Sequence, residues 1–102
     1  SKVKLTFNNT DDMPHNFLLV AKNKANEVGD AATRLGLDGA ALNYVPETEA
    51  VIAHTNLLAP HEIESIYFSA PEVPGAYPFL CTFPGHYLTM RGVLTVTPKL
   101  VL

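Results

Sequence analysis

Cys81, His86 and Met90 lie in the run Cys81-Thr82-Phe83-Pro84-Gly85-His86-Tyr87-Leu88-Thr89-Met90. This spacing puts a thiolate, an imidazole and a thioether on one short loop, a soft donor set that selects copper. A second histidine, His15, stands far upstream between Pro14 and Asn16. One Cys, two His and a weakly held Met are the donors of a mononuclear blue-copper centre, whose usual chemistry is the transfer of one electron. In such a centre Cys81 binds as the thiolate, the metal itself expelling the proton. His15 and His86 supply neutral imidazoles, which suit both oxidation states, and Met90 tunes the potential from a long axial position. Pro84-Gly85 lets the loop turn back sharply, with one torsion fixed by proline and a tight bend allowed by glycine. Pro14 stiffens the approach to His15 and pushes Met13 towards an extended backbone.

Singly, each of these residues has a duller explanation. A lone Cys is most often a small buried hydrophobe, and a lone His or Met usually fills core or surface. All four in one arrangement favour the ligand reading. For His54 and His61 the dull explanation wins, and both are expected to face solvent. Glu47/Glu49 and Glu62/Glu64 read as solvated faces, and Val28, Ala32 and Leu35 as a packing stripe.

The elements that must position the donors are mostly strands. Residues 3–7 alternate Val3, Leu5, Phe7 with Lys4 and Thr6, the pattern of a half-buried strand. Residues 8–12 form a turn cluster, and 17–21 a short apolar strand that places His15 just before it. Residues 22–42 break the β pattern. Val28, Ala32 and Leu35 predict a helix over 24–35, stopped at Gly36, with an extra turn before Val45-Pro46. Strands are expected at 51–53, 61–70, 76–81 and 92–97, with a Pro/Gly turn at 71–75. Pro78 places the 76–81 strand near a sheet edge. Residues 98–102 are read as a tail or the start of a linker. Cys81 then ends one strand and Met90 nearly begins the next, so the ligand loop joins two strands at one pole of a two-sheet β-sandwich.

At 102 residues, 47% of them apolar, residues 1–102 read as one domain with a modest core. A net charge of -3 with scattered Lys and Arg argues against nucleic acid as a partner. No apolar stretch reaches the roughly 18–20 residues that span a bilayer, so no direct membrane insertion is expected. The opening Ser1-Lys2-Val3-Lys4 runs straight into a strand pattern, as in a mature form or an excised domain. Cys81 is the only cysteine. That excludes an internal disulfide, a dithiolate-bridged dinuclear copper centre, multi-cysteine zinc sites and iron–sulfur clusters.

Three stretches carry a family resemblance: Met13-Pro14-His15-Asn16-Phe17, Val51-Ile52-Ala53-His54-Thr55, and the 81–86 loop continued by Met90-Arg91-Gly92-Val93-Leu94-Thr95-Val96. Together they resemble the cupredoxins, and most of all the azurin and auracyanin branch. The resemblance implies an all-β, eight-stranded Greek-key sandwich with one short helical excursion outside it. It implies one type 1 copper per chain, held by His15, Cys81 and His86 with Met90 axial. It further implies that Asn16 ties the two ligand loops together and that the Phe83 backbone N–H donates to the Cys81 sulfur. In azurins a glycine precedes the first histidine and its carbonyl is a weak fifth ligand. Pro14 stands there in this chain, and its carbonyl is the candidate for that axial oxygen. The azurin N-terminal disulfide and the tryptophan of many azurin cores are missing, and the loop between the first two strands is shorter.

The expected function is electron transfer rather than enzymatic turnover, between redox proteins such as c-type cytochromes or membrane oxidoreductases that meet the domain transiently. By resemblance the His86 imidazole edge is the exit point, within an apolar patch of Met13, Pro14, Phe83, Pro84, Gly85 and Leu88. The expected setting is periplasmic or extracytoplasmic, with a membrane tether in a longer form. Two alternatives stand beside this reading: a copper domain of a larger redox enzyme, and copper storage or delivery. Zinc, which also accepts Cys and His, could fill the same donors.

Overall fold

Strand formation follows the alternation read from sequence, and helix formation follows one interruption of it. The computed structural model describes residues 1–98. Its elements are β1 (Lys2–Asn8), β2 (Leu18–Val20), α1 (Ala25–Thr33), β3 (Val51–His54), β4 (Ile63–Ser69), β5 (Gly75–Leu80) and β6 (Arg91–Val96). Two single 3-10 turns, Gly36–Asp38 and Ala40–Leu42, follow the helix. The expected tail lies almost wholly outside the described residues. No helix among them is long and apolar enough to cross a membrane.

The strands form two antiparallel sheets. One pairs β1 with β4, from Lys2 opposite Ser69 to Asn8 opposite Ile63. The other has the order β3-β2-β5-β6. All three residues of β2 are fully buried because both its faces are covered. Leu19 points to the facing sheet, with Phe17 and Tyr77 and, around them, Leu5, Phe7, Ile66 and Phe68. Leu18 and Val20 point the other way, onto Ala25, Val28 and Leu80. A strand covered on both faces loses its polar alternation, and residues 17–21 accordingly read as one apolar run.

Helix α1 is the cover on that second face. Ala25, Val28, Gly29 and Ala32 are its buried positions, the i, i+3, i+4, i+7 stripe of an amphipathic helix. Full burial of a residue such as Val28 contributes about 1.5–3 kcal/mol. The helix ends at Thr33, and Gly36, with φ +54°, turns the chain where a side chain would be strained. The sandwich is thus a three-layer object at this point: sheet, sheet, helix.

Two expectations about the strands need correction. The resemblance implies eight strands, and six form among the described residues. After β3, residues 55–61 run beside the first ligand segment without forming a strand. Pro60 lacks a donor and His61 sits at φ +68°, so ladder pairing is reduced to one bridge between His15 and Leu58, beside single backbone bonds from Thr55 N–H to Phe17 O and from His61 N–H to Asn9 O. The second correction concerns β5, which lies inside its sheet between β2 and β6 rather than at an edge. Pro78 is accommodated because β2 pairs with Leu80 and Phe79 and stops one residue short of it. On the other side Pro78 faces Val93 of β6.

Gly29 sits where α1 meets the loop after β5. A Cβ built there would fall 2.0 Å from Tyr87 Cδ2 and 2.4 Å from its Cγ. Cγ lies close to the backbone, so the ring cannot swing clear without moving the loop. Overpacking of this kind costs about 1–3 kcal/mol, and the gain in helix propensity offsets up to about 1 kcal/mol. Gly29→Ala is therefore expected to lose about 1–2 kcal/mol of stability. A thermal-unfolding midpoint at or above that of the parent chain would show that Tyr87 is not seated on the helix.

Candidate metal centre

His15 is anchored by backbone bonds before any metal is considered. Its N–H donates to Leu58 O (3.0 Å) and its carbonyl accepts from Leu58 N–H (2.8 Å). Its side chain is buried, and its Nε2 lies 2.7 Å from Asp11 Oδ2. The turn that brings Asp11 there is built on Asn9, which is 2% exposed. Asn9 Nδ2 donates to the carbonyls of Met13, Leu58 and Ala59, and its Oδ1 accepts from Asp11 N–H at 3.0 Å.

The second ligand segment is a loop closed by its own ends. Beyond the Leu80–Arg91 pair, Cys81 N–H donates to Met90 O at 2.9 Å. Inside the loop His86 N–H donates to Phe83 O (2.9 Å) and Met90 N–H to His86 O (2.8 Å). Gly85 makes the turn at φ +86°. The result brings Cys81 Sγ to 3.6 Å from both His15 Nδ1 and His86 Nδ1. All three donor atoms lie within 4.8 Å of one another. Bonds of about 2.3 Å to sulfur and 2.0 Å to nitrogen, opened to a trigonal angle, separate the two donors by about 3.7 Å. The observed spacing therefore fits one shared ion. Met90 lines the same cavity as His15 and Cys81 and is 40% exposed.

Asn16 lies between the two segments. Its Oδ1 accepts from Thr82 N–H (2.8 Å), and its Nδ2 donates to Thr82 Oγ1 (2.8 Å) and Asn43 O (2.9 Å). Thr82 Oγ1 in turn donates to Tyr44 O at 2.6 Å. Asn43 and Tyr44 both take φ +55°, which presents their carbonyls to the site. The tail of the helical excursion is thus joined to both ligand segments.

The electrostatics suit a metal ligand set. Burial pushes the Cys81 thiol up, and backbone N–H groups of Asn16 and Phe83 act in the opposite direction. A thiol that resists ionisation alone but is met by N–H donors gives up its proton to a cation. His86 is pushed down by burial and by His15, which keeps its Nδ1 lone pair available. The Asp11 carboxyl is held below its ordinary range by the His15 hydrogen bond and by Asp12 N–H.

His86 is half-buried, and of the residues expected in the apolar patch Met13 (45%), Leu88 (67%), Pro84 and Gly85 are exposed. Pro14 and Phe83 are half-buried, and the Phe83 ring lies 5.1 Å from that of His86. His54 and His61 are exposed and outside the donor cluster. Glu62 and Glu64 do more than face solvent: Glu62 accepts from Ala59 N–H (2.6 Å), and Glu64 from Asn56 N–H (2.7 Å) and Nδ2 (3.0 Å). Both pin the segment that carries Leu58. Sequence reading also missed Asn9, Asp11, Asn43, Tyr44 and the side chain of Thr82. The available signal was the Asn/Asp density of residues 8–12, which favours side-chain-built turns.

A sequence model of the copper-binding proteins of the plastocyanin/azurin family matches residues 1–97. The chain belongs to that family. It is 40% identical over 101 residues to auracyanin-B of Chloroflexus aurantiacus, a match that covers 94% of this chain and 42% of auracyanin-B. It is 32% identical over 87 residues to azurin of Pseudomonas fluorescens biotype C, covering 82% and 66%. The crystal structure of dithionite-reduced auracyanin from Roseiflexus castenholzii aligns with a TM-score of 0.84 at 37% identity, over 96% of this chain and 78% of that one. This cupredoxin thus spans only part of the length of auracyanin-B and azurin. Its cofactor is copper. His15, Cys81 and His86 gather their donor atoms, Met90 lines a cavity with His15 and Cys81, and one thiolate, two imidazoles and a thioether are the donors of a blue, type 1 centre.

Asn16→Ala would strip partners from the buried Thr82 N–H and hydroxyl and from the partly buried Asn43 carbonyl at once. Unpaired buried groups cost about 1–3 kcal/mol each, and a loss of about 2–4 kcal/mol is expected in urea unfolding of the metal-free protein. An unchanged midpoint would show that the junction between the ligand segments is slack.

Proposed function

We propose that this domain is a one-electron carrier, in which His15, Cys81 and His86 hold copper and Met90 is the axial ligand. The observation that carries this reading is the placement of Cys81 Sγ 3.6 Å from two imidazole nitrogens on two independently anchored segments. Copper bound there supplies a Cu(II)/Cu(I) couple. The chain's own residues supply the rest. Asn16 and Thr82 hold the two segments in one arrangement, so little has to move when the charge changes. Amide N–H groups of Asn16 and Phe83 act on the sulfur, a contact that tunes such centres. The Pro14 carbonyl, one residue before His15, is the candidate weak axial oxygen.

The His86 ring edge, with an apolar patch of Met13, Pro84, Gly85 and Leu88 as its docking surface, is the proposed exit for the electron. Small apolar surfaces of this kind suit brief encounters between redox proteins. Partners of the c-type cytochrome or membrane oxidoreductase class, met in a periplasmic or other extracytoplasmic space, fit this reading.

Addition of one equivalent of Cu(II) to metal-free protein is expected to give an intense visible band that a mild reductant bleaches. Cys81→Ser is expected to abolish the band. A pale solution with ordinary tetragonal copper from the parent chain would overturn the assignment. Leu88→Lys places a charge on the patch without touching the donors. It is expected to slow electron self-exchange at least tenfold, with the visible spectrum nearly unchanged, by the several-kcal/mol cost of apposing like charges. An unchanged exchange rate would remove the patch from the mechanism.

A further inference from the structure

One charged side chain touches the donor set without belonging to it. Asp11 Oδ2 lies 2.7 Å from His15 Nε2, on the side of the ring away from Cys81. A carboxylate only accepts, so Nε2 is the protonated nitrogen and Nδ1 keeps its lone pair towards the sulfur. The carboxylate is aimed rather than loose. Asp12 N–H donates to its other oxygen, Oδ1, at 2.8 Å, and the Asp11 backbone N–H donates to buried Asn9 at 3.0 Å. Among the described residues, His15 is the only group in an ion pair with it. Asp12 is its neighbour in sequence and carries the same charge, but among the described residues it forms no hydrogen bond or ion pair with His15.

We propose that Asp11 is a positioning residue of the copper centre: its carboxylate fixes the tautomer and orientation of His15, and its negative charge lowers the reduction potential. The proposal rests on the reading of His15 as a ligand. A hydrogen bond from a ligating imidazole to a carboxylate orients the ring and raises its basicity. A nearby negative charge favours the more positive, oxidised state of the metal. The Asp11 side chain is 59% exposed, so water screens part of the effect.

The test uses copper-loaded parent chain, Asp11→Asn, Asp11→Ala and Asp12→Asn at one pH and one ionic strength. All four are expected to be blue. Removal of the Asp11 charge is expected to favour Cu(I) over Cu(II) by about three- to tenfold, with tenfold being about 59 mV for one electron. The potential should therefore rise in both Asp11 variants and rise clearly less in Asp12→Asn. Ring nitrogen shifts of metal-free protein give a second readout. The proton should stay on His15 Nε2 in the parent chain and in Asp11→Asn, whose amide oxygen still accepts, and become divided between the nitrogens in Asp11→Ala. Blue Asp11 variants with the parent potential would overturn the proposal, as would an equal shift in Asp12→Asn. A parent chain without the intense band would overturn the ligand reading first, and the proposal with it.

Discussion

The paired hydrogen bonds between Asn16 and Thr82 are the constraint on which the site depends. Each residue follows a metal-binding side chain by one position, His15 and Cys81, in segments 66 residues apart. Their amide and hydroxyl groups are buried and mutually satisfied, so neither segment can shift without leaving polar atoms unpaired. The donors inherit that rigidity. The centre is defined by the backbone and polar groups around it before any metal contributes.

The sandwich serves this junction from both sides. The hairpin of β5 and β6 closes the second ligand loop, and the bridge to Leu58 holds the first. The helical excursion, which from sequence alone reads as decoration outside a sandwich, reaches the site at two places. Asn43 and Tyr44 offer it carbonyls from left-handed backbone, and α1 seats Tyr87, the residue after His86, against Gly29. The Tyr87 hydroxyl donates to Asp30, and Arg91 donates to the Tyr87 carbonyl and to Asn26. The helix therefore braces the far side of the loop that the sheet supports from below.

Much of this was legible in the residue order. Alternation marked β1, the strands expected at 61–70 and 92–97 correspond to β4 and β6, and the Val28/Ala32 stripe with Gly36 marked α1 to within two residues at either end. The run from Cys81 to Met90 announced its chemistry through residue types that rarely coincide. What stayed hidden was long-range. Pro78 pointed to an edge because proline lacks a donor, and nothing local told that β2 ends one residue before reaching it. Glu62 and Glu64 looked like solvent-facing acids because their acceptors serve N–H groups on a segment that turns back only in the fold. Asp11 sat in an ordinary turn cluster, and its approach to His15 depends on Asn9 being locked by the Met13 carbonyl of its own turn and by the distant carbonyls of Leu58 and Ala59.

The closure of the second ligand loop also bears on how the donors assemble. Cys81 and His86 are five residues apart, whereas Cys81 and His15 are 66 apart. Loop-closure entropy grows as three-halves RT ln n, so the longer connection costs about 2 kcal/mol more to draw together. Two of the donors arrive together on one hairpin, and the third is recruited across most of the chain. An ion bonded to both His15 and Cys81 would tie those distant segments as a covalent crosslink does, restricting the unfolded chain as well as the folded one. In a chain with a single cysteine, which can form no disulfide of its own, the redox cofactor would then double as its long-range staple.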